Sequence, residues 1–430
     1  MAIAIPKQPY KFTPASNPVL WQIISDSLYL VYFTCEVKEA ISGVTIQRLD
    51  LYPSPNNLKG VYIDLSRILS NYVKYQFKGF TENLLDSFDT NLLKYSLTFT
   101  EKNLYMTVDG PIIGDGEITT TAGDYVFYGE LDKISFKSYR QNRFVVQDGK
   151  MINFLTSKPD KVLVNNYSNE GLFFFQDNFN KAISAKYSFY SNSNVAIGTY
   201  IATLNTANQT NKKLFRINTS LKTLKDKITA INFSNVSYFT VQLIDSGNTP
   251  LSELKTYLVE DIPCSLTPFN IIWVNQFGVL ETYQFVNSES TLSVTKNIIQ
   301  KNPNKANDIG VISNYADNVF NVVDEVLNST TEQIIRLNTR VLSDYSLKWI
   351  SGIINTKQCW IEVYNDLFVP VLVNDTSITL TNQRYLTQPN VKQISFKLSD
   401  GFVPDSTVYN SNNIIPQIES VNTDFYVRNS

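Results

Sequence analysis

Few residues in this 430-residue chain have the type and spacing for chemistry, and histidine is absent altogether. That removes Ser-His-Asp and Cys-His catalysis, imidazole acid–base chemistry and histidine metal ligation. The three cysteines, Cys35, Cys264 and Cys359, are far apart and odd in number. Neither a disulfide framework nor a zinc pattern follows from them, and synthesis in a reducing compartment is expected. Cys35 falls in an alternating run and reads as a small buried hydrophobe. Carboxylate chemistry survives this filter. Asp124, Glu130, Asp132 and Asp261 lie near aromatics, and a glycosidase would need two of them as a placed pair. Turn and surface roles are expected for them instead. Gly110-Pro-Ile-Ile-Gly-Asp-Gly116 lacks the Lys-Ser/Thr of a phosphate loop. Asp308-Ile-Gly and Asp375-Thr-Ser are too short for a calcium loop. Asn166-Tyr-Ser, Asn208-Gln-Thr and Asn328-Ser-Thr match glycosylation acceptors, as an asparagine-rich chain does by chance. No catalytic, cofactor-binding or metal-ligating residue is assigned, and no cofactor is expected.

Charge excludes further classes. With 37 basic and 39 acidic residues the net charge is −2, so no general nucleic-acid footprint is expected. The densest basic run, Lys212, Lys213, Arg216, Lys222, Lys225 and Lys227, reads as a solvated face. The first residues carry no signal-peptide pattern, and no apolar stretch is long enough to span a membrane.

The elements that must position any site read mainly as β. Hydrophobic residues are 43% and charged residues 18%, which excludes wholesale disorder. Tyr and Phe number 25 and 26, favouring pleated, half-buried surfaces. The fold class expected is two to three β-sandwich-like domains in tandem with short inserted helices.

The first domain is placed at 1–115. It opens with a proline arm at 6–18, which lies across its own domain or a neighbour. A strand at 28–37 puts Tyr29, Val31, Phe33, Cys35 and Val37 on one face. Strands at 44–51 and 92–100 join it, the latter with Leu93, Tyr95, Leu97 and Phe99 on one face. Between them Asp64 caps a helix carrying Leu65, Ile68, Leu69 and Tyr72. The Gly-, Asp- and Thr-rich run 110–123 is a candidate boundary.

A central β region at 116–287 follows. Its strands are expected at 125–131, 134–139, 144–146, 161–165, 171–176, 186–190, 199–203, 213–218, 229–233, 238–244 and 254–260, with a helical turn at 221–227. It ends in the hairpin 268–285, around which the chain is organised. Ile271, Trp273, Leu280 (or Tyr283) and Phe285 supply large apolar side chains, and Asn275-Gln-Phe-Gly278 supplies the turn. Trp273 should be buried with its indole N–H partnered.

A C-terminal α+β domain is placed at 288–400. Residues 288–307 read as a linker or an exposed β-arm, and 310–340 as ambiguous between helix and strand. Ser343 caps a helix through Ile354, and strands follow at 358–363, 368–373 and 391–397. Residues 401–430 form a tail that Phe402, Tyr409 and Phe425 could anchor.

Three segments in order carry a resemblance. The first is Pro14-Ala-Ser-Asn-Pro18 with Ser25-Asp26, followed by Gly60-Val-Tyr-Ile-Asp64-Leu-Ser-Arg-Ile-Leu. The second is Ile271-Ile-Trp-Val-Asn-Gln-Phe-Gly-Val-Leu-Glu-Thr-Tyr-Gln-Phe. The third is Leu342-Ser-Asp-Tyr with Trp349-Ile, then Phe368-Val-Pro-Val-Leu-Val-Asn-Asp. Together they resemble virion tail proteins (ring, hub or muzzle type) of crAss-like tailed phages that infect Bacteroidetes. Val279 departs from the small residue usual after the motif glycine.

The resemblance implies a non-enzymatic structural subunit in the virion tail, made in the host cytoplasm. It would self-associate into a ring, with a copy number that is a multiple of six, around the DNA ejection channel. Its partners would be other tail or portal-proximal proteins, with passive contact to DNA and no sequence-specific binding. The proline arm, 288–307 and the tail are then the expected contacts between subunits. The alternative is a receptor- or carbohydrate-binding β protein, an adhesin with its aromatics along an exposed groove.

Overall fold

The computed structural model describes residues 3–55, 59–77, 79–88, 91–177, 182–204, 212–260, 268–300, 324–364, 367–380 and 391–399. The chain divides into two compact units, each described separately. The first comprises Met1–Ile262, Ile272–Tyr283 and Asp344–Lys357. The second comprises Pro263–Ile271, Gln284–Ser343 and Gln358–Ser430. The architecture is mainly β, as expected.

The first unit holds two sandwiches. In the N-terminal one, β1 (Ile3–Lys7), β3 (Leu20–Ser25) and β6 (Gly60–Asp64) form an antiparallel sheet. The facing sheet runs β2 (Phe12–Pro14), β10 (Asp124–Phe127), β8 (Leu92–Thr107), β4 (Leu30–Glu39), β5 (Thr45–Leu51), and β9 (Gly110–Thr120) also pairs with β8. Period-two alternation aims Phe33, Cys35 and Val37 of β4 and Tyr95, Leu97 and Phe99 of β8 at Trp21 and Ile23 of β3. Burial pushes the Cys35 thiol up to about 12, which leaves it a hydrophobe. Tyr29 misses the face expected for it and is exposed, because the ladder shifts register between Leu30 and Tyr32. Helix α1 (Ser66–Tyr72) sits where expected, but its N-cap is Leu65, with no side-chain cap bond; Asp64, one residue earlier, accepts at Oδ1 from Ser66 N (2.9 Å) and Val19 N (3.0 Å).

The second sandwich faces β11 (Val145–Val146), β13 (Gly171–Gln176), β16 (Leu214–Asn218) and β7 (Leu85–Ser87) against a second sheet. That sheet is β12 (Lys161–Val164), β18 (Lys255–Val259), β17 (Tyr238–Asp245), β14 (Ile183–Tyr190) and β15 (Ala196–Thr203). Leu172, Phe174, Phe215 and Ile217 meet Tyr187, Phe189, Phe239 and Tyr257 in one core. Leu221 and Leu224 of α3 (Leu221–Lys227) are buried there.

Several expectations are corrected. The boundary run at 110–123 is largely strand β9, so the 115/116 division cuts a hairpin. Residues 134–139 are not a strand but mostly helix α2 (Lys133–Ser138), because Asp132 Oδ1 accepts from Ile134 N and Ser135 N as an N-cap. Residues 229–233 form a turn leading into a 3-10 turn (Phe233–Asn235). The proline arm is tied to its own unit. It contributes β2 in parallel with β10, and Asn17 exchanges hydrogen bonds with the Leu131 backbone at 2.8 Å each way.

The second unit centres on a closed barrel in the order β19 (Pro268–Val274), β20 (Leu280–Gln300), β21 (Asp324–Asn338), β24 (Gln393–Leu398), β23 (Leu367–Val373), β22 (Cys359–Tyr364). Ile335, Leu337, Ile394 and Phe396 are buried, and the Phe285 and Phe396 rings meet edge to face at 5.7 Å. An α+β domain at 288–400 is therefore not what forms. The helix expected there, α4 (Asp344–Ile350) continued by a 3-10 turn (Ser351–Asn355), belongs to the first unit, and the 287/288 division falls inside β20. Residues 324–338 resolve from ambiguous to strand. Cys264, Asp261, Asp308, Asn208, residues 301–323 and the tail 401–430 lie outside the described residues.

Candidate functional site

Two features of the fold are candidates: a buried polar cluster under the hairpin turn, and two exposed β-ribbons.

The turn at Asn275–Gly278 forms by the chemistry its sequence carries. Asn275 Oδ1 accepts from Phe277 N (2.9 Å) and Val279 N (3.2 Å), and Gly278 adopts φ +68°. Asn275 Nδ2 then donates to Leu155 O (2.9 Å) and Glu281 Oε1 (2.8 Å). Glu281 also accepts from Thr156 Oγ1 (2.8 Å), Ser157 N (3.2 Å) and, through Oε2, the Trp349 indole N–H. Beside it Lys158 and Glu170 form a buried ion pair, and Lys158 Nζ lies 5.7 Å from the Trp349 ring centre. Burial raises the Glu170 carboxyl, and the Lys158 ammonium opposes that rise. Two carboxylates, one lysine and a tryptophan thus meet under a hairpin turn. Each has protein partners, so the cluster clamps the hairpin and α4 into the first unit. Trp273 is fully buried 5.9 Å from Trp349, yet its own indole N–H has no partner among the described residues. The expected partner of the Trp273 indole is therefore not found, and the indole that is partnered here is that of Trp349.

Of the carboxylates singled out by sequence, the three among the described residues have separate roles. Asp132 caps α2, and Glu130 bridges Lys357 at 2.7 Å on the surface. Asp124 sits at the start of β10 opposite Tyr95, where burial pushes its carboxyl up to about 6. The basic run is not one solvated face. Arg216 is buried with its guanidinium 4.5 Å from the Phe80 ring, and burial lowers it to about 10. Lys213 bridges Asp177 at 3.1 Å.

The first ribbon is the distal part of β8 and β9. Past Leu104, whose N–H still donates to Tyr29 O at 2.8 Å, β8 and β9 continue as a two-stranded ribbon, down to Thr107 with Gly110. A two-residue turn closes it, with Gly110 at φ +118°. Leu104, Tyr105, Met106, Val108, Ile112 and Ile113 are all exposed, Val108 completely. The second ribbon is the distal part of β20 and β21. β24 covers β21 only from Ile334 to Asn338, so Leu292–Gln300 pairs with Asp324–Gln333 beyond it. That is a reach of about 30 Å at the usual rise per strand residue. Leu292, Val294, Ile298, Ile299, Val326 and Leu327 are exposed along it. Residues 288–300 are thus the exposed β-arm of the two readings given for that segment. The β8–β9 arm was missed because 92–107 continues past the strand that core periodicity marks. Its signal was the apolar run Leu104 to Ile113 on either side of a turn.

No protein-family model matches the chain, and no curated protein matches it. Among solved structures, a Dpr2 Ig1-Ig2 in complex with DIP-Theta Ig1-Ig3 aligns over 61% of this chain and 99% of that chain, at 10% identity and a TM-score of 0.16. A marsupial T cell receptor aligns over 78% and 96%, at 8% identity and a TM-score of 0.19. At these scores neither likeness bears on what the chain does. No helix among the described residues is long and apolar enough to cross a membrane.

Proposed function

We propose that the chain is a non-enzymatic structural component of a phage virion tail. It would form part of a symmetric ring or hub around the DNA ejection channel, next to other tail or portal-proximal proteins. The observation that carries this reading is the pair of β-arms. An isolated two-stranded ribbon is marginal in water, and exposed apolar edges invite pairing. Arms that keep Leu104, Met106, Val108 and Ile112 in solvent are therefore better explained as contacts awaiting another subunit. The resemblance of the three sequence segments supports the same reading. Contacts assigned to the proline arm are withdrawn, since it is built into its own sheets.

The test has two parts. Quantitative mass spectrometry of purified particles should return a copy number that is a small multiple of six. Replacing residues 104–113 by a short Gly-Gly turn should leave the chain folded but abolish its self-association by mass photometry. Absence from particles, or unaltered assembly without the arm, would overturn the reading. The adhesin alternative rests on the exposed Tyr52, whose ring lies 5.1 Å from that of Tyr32. Glycan-array binding lost on Tyr52→Ala would favour it.

A further inference from the structure

Strand register sorts the β20–β21 arm into two unlike sides. Leu292, Val294, Lys296 and Ile298 alternate onto one side, and Val326 joins them across the ladder. Over the same span the opposite side carries Ser293, Thr295 and Asn297, with Glu332 across from Ser293. The apolar side is in phase with Ile335 and Leu337, which are buried in the barrel. The inner stripe of the barrel therefore runs on beyond β24, where Leu292, Val294, Ile298 and Val326 stay exposed.

Two charges interrupt this apolar side. Lys296 stands in its middle, and Asp324 lies at its free end opposite Gln300. The β8–β9 arm is its counterpart. Leu104, Met106, Pro111 and Ile113 share one side of that arm, all of them exposed. Between Asn103 and Gly114 the only charged side chain is Asp109, in the closing turn. Lys296 and Asp109 are both exposed, and neither pairs with a charge among the described residues. Each arm thus carries one unanswered charge among aliphatic neighbours, and the two charges are opposite. Both arms are two strands wide, so stacking one on the other makes a small sandwich with a spacing of about 10 Å. The β8–β9 arm is only about 14 Å long from Leu104 to Thr107, roughly half the length of the apolar side it would cover. Length leaves its seat open and charge selects it, because Asp109 is drawn to Lys296 and repelled by Asp324.

We propose that the β8–β9 arm of one copy docks on the apolar side of the β20–β21 arm of a second copy, with Asp109 set against Lys296. The two surfaces differ, so each copy offers one of each and the contact is heterologous, as closure into a ring requires. Docking covers the aliphatic side chains that both arms hold in solvent and gives each lone charge its counter-ion. The proposal rests on the assembly reading and adds to it which two surfaces meet and where.

The test is charge reversal in the full chain, read by sedimentation velocity. Asp109→Lys and Lys296→Asp should each weaken self-association by about tenfold or more, because each sets like charges against one another at the contact. Both side chains are exposed, so neither change should disturb folding. Combining the two changes in one chain should restore association to within about threefold of the original. Mixing the two single variants should restore it as well, since every contact between unlike copies then pairs opposite charges. A contact made within one chain predicts no rescue on mixing. If the wild type associates while either reversal leaves association unchanged, or while the mixture is no better than its components, the docking is overturned and the assembly reading stands. A wild type that never self-associates overturns both.

Discussion

Replacing Gly278 by alanine tests the clamp at the hairpin turn. A Cβ at this position would lie 1.4 Å from the Tyr128 carbonyl oxygen and 2.4 Å from its carbon. Neither side can yield cheaply. Tyr128 N donates to Asn91 O at 2.9 Å, and Gly278 N is held by Asn275 O at 2.9 Å. The positive φ alone costs an alanine about 1 kcal/mol. To relieve the overlap the turn must lift away. That breaks the bond from Glu130 N to Gln276 O (2.9 Å) and the one from Asn91 Nδ2 to Gly278 O. It also exposes Phe277, which is 7% exposed and packs 5.1 Å from Phe144. At about 1 kcal/mol per hydrogen bond and about 1–2 kcal/mol for the ring, the total is roughly 4 kcal/mol. The control is Gly43→Ala, where φ is +73° but nothing lies within 4 Å of the new Cβ. It should cost only the backbone share of about 1 kcal/mol. Urea denaturation followed by tryptophan fluorescence reads both, since Trp273 and Trp349 lie directly beneath the turn. If the two variants lose the same stability, the close approach to Tyr128 is not what fixes this glycine.

Three further outcomes follow from the same geometry. Trp349→Phe keeps an aromatic ring beside Trp273 but removes a donor from buried Glu281, and should cost about 2–3 kcal/mol by chemical denaturation; a loss under 0.5 kcal/mol would mean the indole bond carries nothing. Lys158→Met should destabilise by about 3–5 kcal/mol by stranding Glu170, while the double change with Glu170→Leu should recover most of that loss, and a double variant no better than the single would refute the pairing. Asp124 has a folded pKa of about 6, above its ordinary value of 3.8, so the stability it contributes is full below about 4 and is lost as pH rises through 6. Asp124→Asn should therefore raise Tm at pH 7.5, by an amount on the order of 1 kcal/mol after screening, with the advantage gone near pH 4; a pH-independent difference would contradict the shift.

The β class, the short helix after Asp64 and the Asn275–Gly278 turn were legible in the chain because each depends on neighbours in sequence. Period-two alternation decides which of Phe33, Cys35 and Val37 face inward, and turn chemistry acts within four residues. Absence of histidine likewise limits the chemistry whatever the fold. The tertiary structure decided the rest, because it depends on partners far apart along the chain. Glu281 reaches Thr156 across 125 residues and Trp349 across 68. No local pattern marks those pairings, so helix α4 reads as part of a C-terminal domain until its tryptophan finds its acceptor. The prolines at 6–18 left open whether the arm lies across its own domain or a neighbour because they oppose regular ladders, and Pro14 sits in β2, paired in parallel with β10. Glu101 lies in phase with a core stripe, and only the bulge on β9 sets Gly116 and the Glu117 backbone against its carboxylate. Periodicity specifies which side of a strand a residue faces, whereas long-range packing specifies what it meets there.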